Sequence, residues 1–153
     1  MKALLYFSTF AYLVLAALAQ RIAIGAPAEW SVIQPGSNIT VEVDRPMTLT
    51  GSQEVAVAIG LWPCAGYGDA ANRTCAEMDV TQVLGNVMYS GPYAPQLQPG
   101  QEAYKPPYQN FTITVPSTFT DGQVSLGVAH FSLIGAGAMP FMEVANITLI
   151  VKS

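Results

Sequence analysis

The sequence predicts an all-β chain, an immunoglobulin-like antiparallel β-sandwich of seven to eight strands, and three observations carry that prediction. Two long runs, 54–62 (EVAVAIGLW) and 123–133 (QVSLGVAHFSL), are apolar on both alternating faces, as strands covered on both sides must be. Shorter runs at 38–43 (NITVEV) and 109–115 (QNFTITV) alternate apolar with polar residues, which is the period of a strand with one face in a core. Proline and glycine separate the runs, and no helical or heptad periodicity appears beyond the leader.

Residues 1–19 begin with Lys2 after the initiator, continue as an apolar run broken only by Ser8 and Thr9, and end in Ala17-Leu18-Ala19. That is the composition of a secretory signal peptide cleaved before Gln20. A membrane anchor is the competing reading, but the run is short for a bilayer span. Residues 20–153 then form one sandwich domain, since the remaining length suits a single core. Without Lys2 the mature chain holds five basic and ten acidic side chains, a net charge of −5. Nucleic acid and anionic membrane are poor partners for such a surface. The expectation is a soluble extracellular protein with no membrane span after cleavage.

Residues 21–26 (RIAIGA) read as a short first strand stopped by Pro27, and 30–33 (WSVI) resumes an extended path up to the turn Gln34-Pro35-Gly36. The next strand, 38–43, sends Ile39, Val41 and Val43 inward. In 54–62, Val55, Val57, Ile59 and Leu61 form a bulky face opposite the small residues Ala56, Ala58 and Gly60. The run 123–133 repeats the contrast, with Val124, Leu126 and Val128 against Gly127 and Ala129. Pairing these two strands with small faces aligned gives a sheet with one bulky side for the core and one shallow side, covered by the chain itself or by a partner. Residues 63–79 read as a loop, 81–89 as a strand ended by Ser90-Gly91-Pro92, 93–108 as a proline-rich surface connection, and 141–151 as the last strand. The runs 109–115 and 123–133, joined by a short turn segment, read as an antiparallel pair.

Cys64 and Cys75 are the only cysteines. In an oxidising route two cysteines most often bridge, and closing so short a loop restricts the unfolded chain by about 3 kcal/mol. A metal site is the alternative, but no histidine lies near them in sequence to complete a ligand set. Four N-glycosylation acceptors stand in the chain, at Asn38, Asn72, Asn110 and Asn146, each followed two residues later by threonine. On a strand, residues i and i+2 share a face, so at Asn38, Asn110 and Asn146 the asparagine and threonine project together while the middle residue turns to the core.

Little else points to reaction chemistry. His130 is the sole histidine and lies on an apolar strand, where a packed or rim residue is the commoner role. A copper centre built on the mature amino terminus would need histidine there, and that residue is Gln20. The glutamates are scattered, with no pair set in a recognisable cleft. The expectation from these absences is a non-enzymatic chain without cofactor or metal. The remaining candidates are aromatic: Tyr89, Tyr93, Tyr104 and Tyr108, with Gly91 and Pro92, fall in one connection. Such a loop suits a protein interface or a platform for an extracellular polysaccharide, or else simply covers the sandwich edge.

The leader, RIAIGAP, QPG, EVAVAIGLW, LGNVMYSGPY, NFTITVP, DGQVSLGVAHFSLIGAG and the closing NITLIV, taken in order, resemble the necrosis-inducing secreted protein family of filamentous fungi. Tyr89-Ser90-Gly91-Pro92-Tyr93 and Leu133-Ile134-Gly135-Ala136 match that pattern best, while the insert from Cys64 to Cys75 has no place in it. The resemblance implies a small secreted effector that suppresses pattern-triggered plant immunity by engaging immune receptor-associated kinases of the host, with cell death on overproduction in some members. It leaves entry into host cells open.

Overall fold

A computed structural model of the chain describes residues 21–47, 51–65, 73–101 and 104–153. The expected signal peptide at 1–19 and the acceptor Asn72 lie outside the described residues. Eight strands follow one another: β1 (Ala23–Ala26), β2 (Val32–Ile33), β3 (Asn38–Asp44), β4 (Ser52–Pro63), β5 (Asn86–Pro92), β6 (Tyr108–Thr114), β7 (Gly122–Ile134) and β8 (Met139–Val151). They form two sheets, a three-stranded one ordered β1-β3-β6 and a five-stranded one ordered β2-β8-β7-β4-β5. All pairings are antiparallel except that of β2 with β8. The first strand thus belongs to one sheet and the second to the other, the sheet-switching start of an immunoglobulin-like sandwich.

The core lies between the sheets and is filled by the residues that alternation turns inward. Val41, Val43, Phe111 and Ile113 come from the smaller sheet, and Val57, Ile59, Leu61, Val124, Leu126, Val128, Leu149 and Val151 from the larger. Each such side chain adds about 1.5–3 kcal/mol on leaving water. Asn38, Asn110, Thr112 and Thr114 alternate with these core residues and stay exposed.

Three expectations about the strands change. The runs at 109–115 and 123–133 do not pair with each other. β6 lies beside β3 and β7 between β8 and β4, so the intervening turn carries the chain from one sheet to the other. Residues 81–85 are not strand, and β5 instead runs from Asn86 through Ser90 and Gly91 to Pro92, which an edge position tolerates. Val55 does not join the inner row of β4. A β-bulge between Glu54 and Ala56 shifts the alternation there, leaving Val55 exposed and turning Glu54 inward. β4 and β7 do pair with small faces matched, Gly60 opposite Gly127 and Ala58 opposite Ala129.

Cys64 and Cys75 are joined by a disulfide with Cα atoms 5.0 Å apart. It holds the short 3-10 turn Cys75–Glu77 against the start of β7, where Gln123 Oε1 accepts from the Cys75 amide at 2.9 Å.

Candidate functional site

At one end of the sandwich the bulged Glu54 meets two residues that sequence places far away. β7 pairs His130 with Val57 of β4 on one side and with Glu143 of β8 on the other. His130 lies 2.5 Å through Nε2 from Glu54 Oε2 and 3.1 Å through Nδ1 from Glu143 Oε1. Both ring nitrogens face carboxylates, so the ring is an imidazolium that donates to both. Burial pulls the His130 pKa down, but hydrogen bonds to Glu143 and Glu54 and their charges outweigh it and hold it up at about 9. Burial likewise pulls Glu54 up, yet its hydrogen bonds from His130, Ser52 and Arg45 and the His130 charge bring it down to about 2.

The surroundings complete the charge balance. Arg45 Nε donates to Glu54 Oε1 at 2.7 Å and its Nη2 to Ser52 Oγ at 2.8 Å, while Ser52 Oγ donates to Glu54 Oε1 at 2.6 Å. The Ile22 amide donates to Glu143 Oε1 at 3.0 Å, tying the chain just before β1 to the same group. The Tyr93 ring stands edge-on to the His130 ring at 5.4 Å, and its hydroxyl donates to the Val43 carbonyl. Two carboxylates, an imidazolium and a guanidinium make the cluster neutral. The side chains of His130, Glu54 and Glu143 are only 4, 9 and 5 % exposed, so the cluster acts inward, pinning four elements together.

The outer face of the three-stranded sheet is polar. Cross-strand register sets Asn38 opposite Thr114, Thr40 opposite Thr112 and Glu42 opposite Asn110. Two of the acceptors therefore share one face on adjacent strands. Thr114 Oγ1 donates to Asn38 Oδ1 at 2.8 Å, which holds the carboxamide oxygen while the residue stays exposed. At the far end Lys105 Nζ lies 2.9 Å from Glu42 and 4.2 Å over the Tyr108 ring.

The outer face of the five-stranded sheet is apolar and half covered. The segment leading into β5 crosses it, and Leu84 lies so close over Gly60 and Gly127 that a methyl group on either would collide with it. Gly85 then turns the chain at φ +70° against the backbone of Leu61 and Trp62, a conformation and a proximity that glycine alone accepts readily. Beyond the crossing, Ala56, Ala58 and Ala129 floor a shallow pocket of about 170 Å3 walled by Phe131 and Met142. Of the two expected covers for the shallow side, the chain itself supplies one half.

A larger groove of about 660 Å3 runs along β8, between Arg21–Ile24 on one side and Thr81 and Gln82 on the other. Asn146 lines it and is partly buried, unlike Asn38 and Asn110.

The tyrosine cluster is divided by the fold. Tyr93 is 2 % exposed and belongs to the core, so its expected part as a contact residue is corrected: β5 hands it to the interior just past the sheet edge. The Tyr89 ring packs on Phe111 at 4.6 Å with its hydroxyl on the Pro92 carbonyl, and Gly91 lies beneath it, where a methyl would meet the Tyr89 hydroxyl. Pro92 is exposed, Tyr108 half-buried, and Tyr104 is 83 % exposed. The alternation of β5 and the apolar partner Phe111 were the signals for Tyr89; nothing local distinguished Tyr93. The His130 cluster was missed because its carboxylates are 76 and 13 residues away in sequence.

These features define a disulfide-bonded, immunoglobulin-like β-sandwich with one acceptor-bearing polar face and one partly open apolar face. The chain belongs to the Nis1 family, whose sequence profile matches residues 17–150. No curated protein sequence matches it. Among solved structures it is similar to a superoxide reductase (neelaredoxin) from Ignicoccus hospitalis, at 11 % identity and a TM-score of 0.47, covering 87 % of this chain and 81 % of that one. It is also similar to a cellulose-active polysaccharide monooxygenase from M. thermophila, at 12 % identity and a TM-score of 0.49, covering 82 % of this chain and 55 % of that one. The expectation of a non-enzymatic chain is corrected on this finding: both of these structures are of enzymes, so the absence of a sequence motif does not exclude that class. At such distance neither enzyme lends this chain an activity.

Proposed function

We propose that the chain is a secreted fungal effector that acts by binding a host protein, with an immune receptor-associated kinase of a plant as its target and suppression of pattern-triggered immunity as its effect. The family match over residues 17–150 carries this reading, since the motifs that follow the leader and resemble the necrosis-inducing secreted proteins fall within it but for the last residue of NITLIV. The disulfide fits an oxidising route, and acceptors Asn38 and Asn110 stand exposed on one sheet as N-glycans require. Among the described residues no helix is long and apolar enough to cross a membrane. A polysaccharide partner has less support, because Tyr89 and Tyr93 turn their rings towards Phe111 and do not form a stacking platform.

The test is expression of the secreted chain in leaves, with co-precipitation of receptor-associated kinases and measurement of the oxidative burst after elicitation. Recovery of a kinase together with a reduced burst is the expected result. An unchanged burst and no kinase in the precipitate would overturn the reading.

A further inference from the structure

We propose that the open edge of β8 is a binding site for an extended peptide segment of a partner protein, which joins the five-stranded sheet as an additional strand. The proposal rests on the binding reading above only in taking the partner to be a protein. It begins from backbone accounting. Trp30 donates to the Thr148 carbonyl at 2.7 Å, and Ile150 and Lys152 donate to Ser31 and Ile33 at 2.9 and 3.0 Å. Thr148, Ile150 and Lys152 thus turn their edge groups away from β7. The β7–β8 register is unbroken from Gly122 to Ile134, so alternation turns the edge groups of Met142, Val144 and Asn146 the same way.

Nothing among the described residues takes them up. β2 is only two residues long, and before it the chain leaves for the other sheet at β1. An edge of this kind is normally blunted by charge, proline or cover. Here Pro140 closes its start, but the one charged residue of the stretch, Glu143, is turned inward and held by His130 and the Ile22 amide. The edge between Met142 and Asn146 is left as a row of donors and acceptors at strand spacing, lying in the 660 Å3 groove.

The shape of the groove selects the occupant. Its walls, Arg21–Ile24 and the pair Thr81 and Gln82, rise on both sides of β8. A single extended chain suits such a recess, collinear with β2, which already pairs with the same edge further along β8. Half-buried Ile24 offers apolar contact to the incoming strand, and Arg21, exposed and without an ion-pair partner among the described residues, favours a carboxylate at that end. A sugar on Asn146 and a strand in the groove would compete for the same space.

The probe is a displayed library of random linear peptides, selected on the disulfide-bonded chain made in a bacterial periplasm, where no N-glycan is added. Selected peptides are expected to slow hydrogen exchange at the Val144 and Asn146 amides, and Val144→Pro is expected to weaken them about tenfold, the worth of one to two backbone hydrogen bonds. Because that variant could also disturb folding, peptides N-methylated at successive positions provide a second readout: loss of binding at every other position marks strand pairing. Failure to select any peptide, or peptides that bind without slowing exchange at 142–146, overturns the proposal. So does a dimer whose β8 amides are protected without peptide, which would make a second copy the occupant. If receptor-associated kinases still co-precipitate when the groove fails, the effector reading stands and only this site falls; a bound peptide with no kinase gives the reverse.

Discussion

The pH dependence of stability offers a direct measure of the His130 cluster. His130 ordinarily titrates near 6.5 and in the folded chain near 9, a rise of about 2.5 pH units, worth about 3 kcal/mol at 1.36 kcal/mol per unit. The folded state holds this proton more tightly than the unfolded one, so the stabilisation is fully present below about pH 6.5 and is lost as the pH climbs through 9. Glu54 shows the acid side of the same contact: its pKa falls from 4.5 to about 2, so its share is present above about pH 4.5 and disappears as the pH drops through 2. The two figures describe one interaction from its two ends and are not added. Stability should be highest between about pH 4.5 and 6.5 and should decline by about 3 kcal/mol towards pH 10. Urea unfolding followed by tryptophan fluorescence across this range measures it directly, with the slope against urea checked for constancy. His130→Leu leaves Glu143 buried without a cation and Glu54 with Arg45 alone, and should cost about 3–5 kcal/mol while removing the alkaline decline. A wild-type chain as stable at pH 10 as at pH 6 would refute the imidazolium assignment.

Replacing Cys64 and Cys75 together by serine should lower the urea-extrapolated stability by about 3 kcal/mol, the loop-closure entropy that the bridge removes from the unfolded chain. Gly60→Ala should cost about 1–3 kcal/mol by forcing the Leu84 backbone off the sheet, and amide exchange should accelerate at residues 81–85; an unaltered exchange pattern would show that the crossing segment does not seat there. Tyr93→Phe should cost about 1 kcal/mol, the value of its hydroxyl bond to the Val43 carbonyl, as read by thermal unfolding. In a secreted preparation from a fungal host, Asn38→Gln and Asn110→Gln should each remove one glycan step from the intact mass, and an unchanged mass would rule out sugar at that position.

Much of the sandwich was legible because its strands obey the two-residue period. The aligned small faces of β4 and β7 follow from the matching contrast of Ala58 and Gly60 with Ala129 and Gly127. Fully apolar runs mark central strands, and β7 is indeed flanked on both sides. Sheet membership was not legible: the chain from β6 to β7 reads as a hairpin, yet it changes sheets, since both a hairpin and a crossover need only a turn and two apolar runs. Likewise residues 81–85 carry a strand-like pattern but form the segment that sets Leu84 over Gly60 and Gly127, where shape and not periodicity decides. The charge cluster depends on a bulge, and alternation alone would have sent Glu54 outward.

That extra residue in β4 gives the strand a property that side-chain substitution would not reveal. Val55 is exposed, and exchanging it for another β-branched residue should pass almost unnoticed, whereas deleting it would rotate everything upstream by half a turn about the strand axis. Glu54 would then face water and His130 would lose its shorter bond, together with the anchor that Arg45 finds there. Relatives with a different residue count between Arg45 and Val57 should therefore be found to have changed their interior acid and base together.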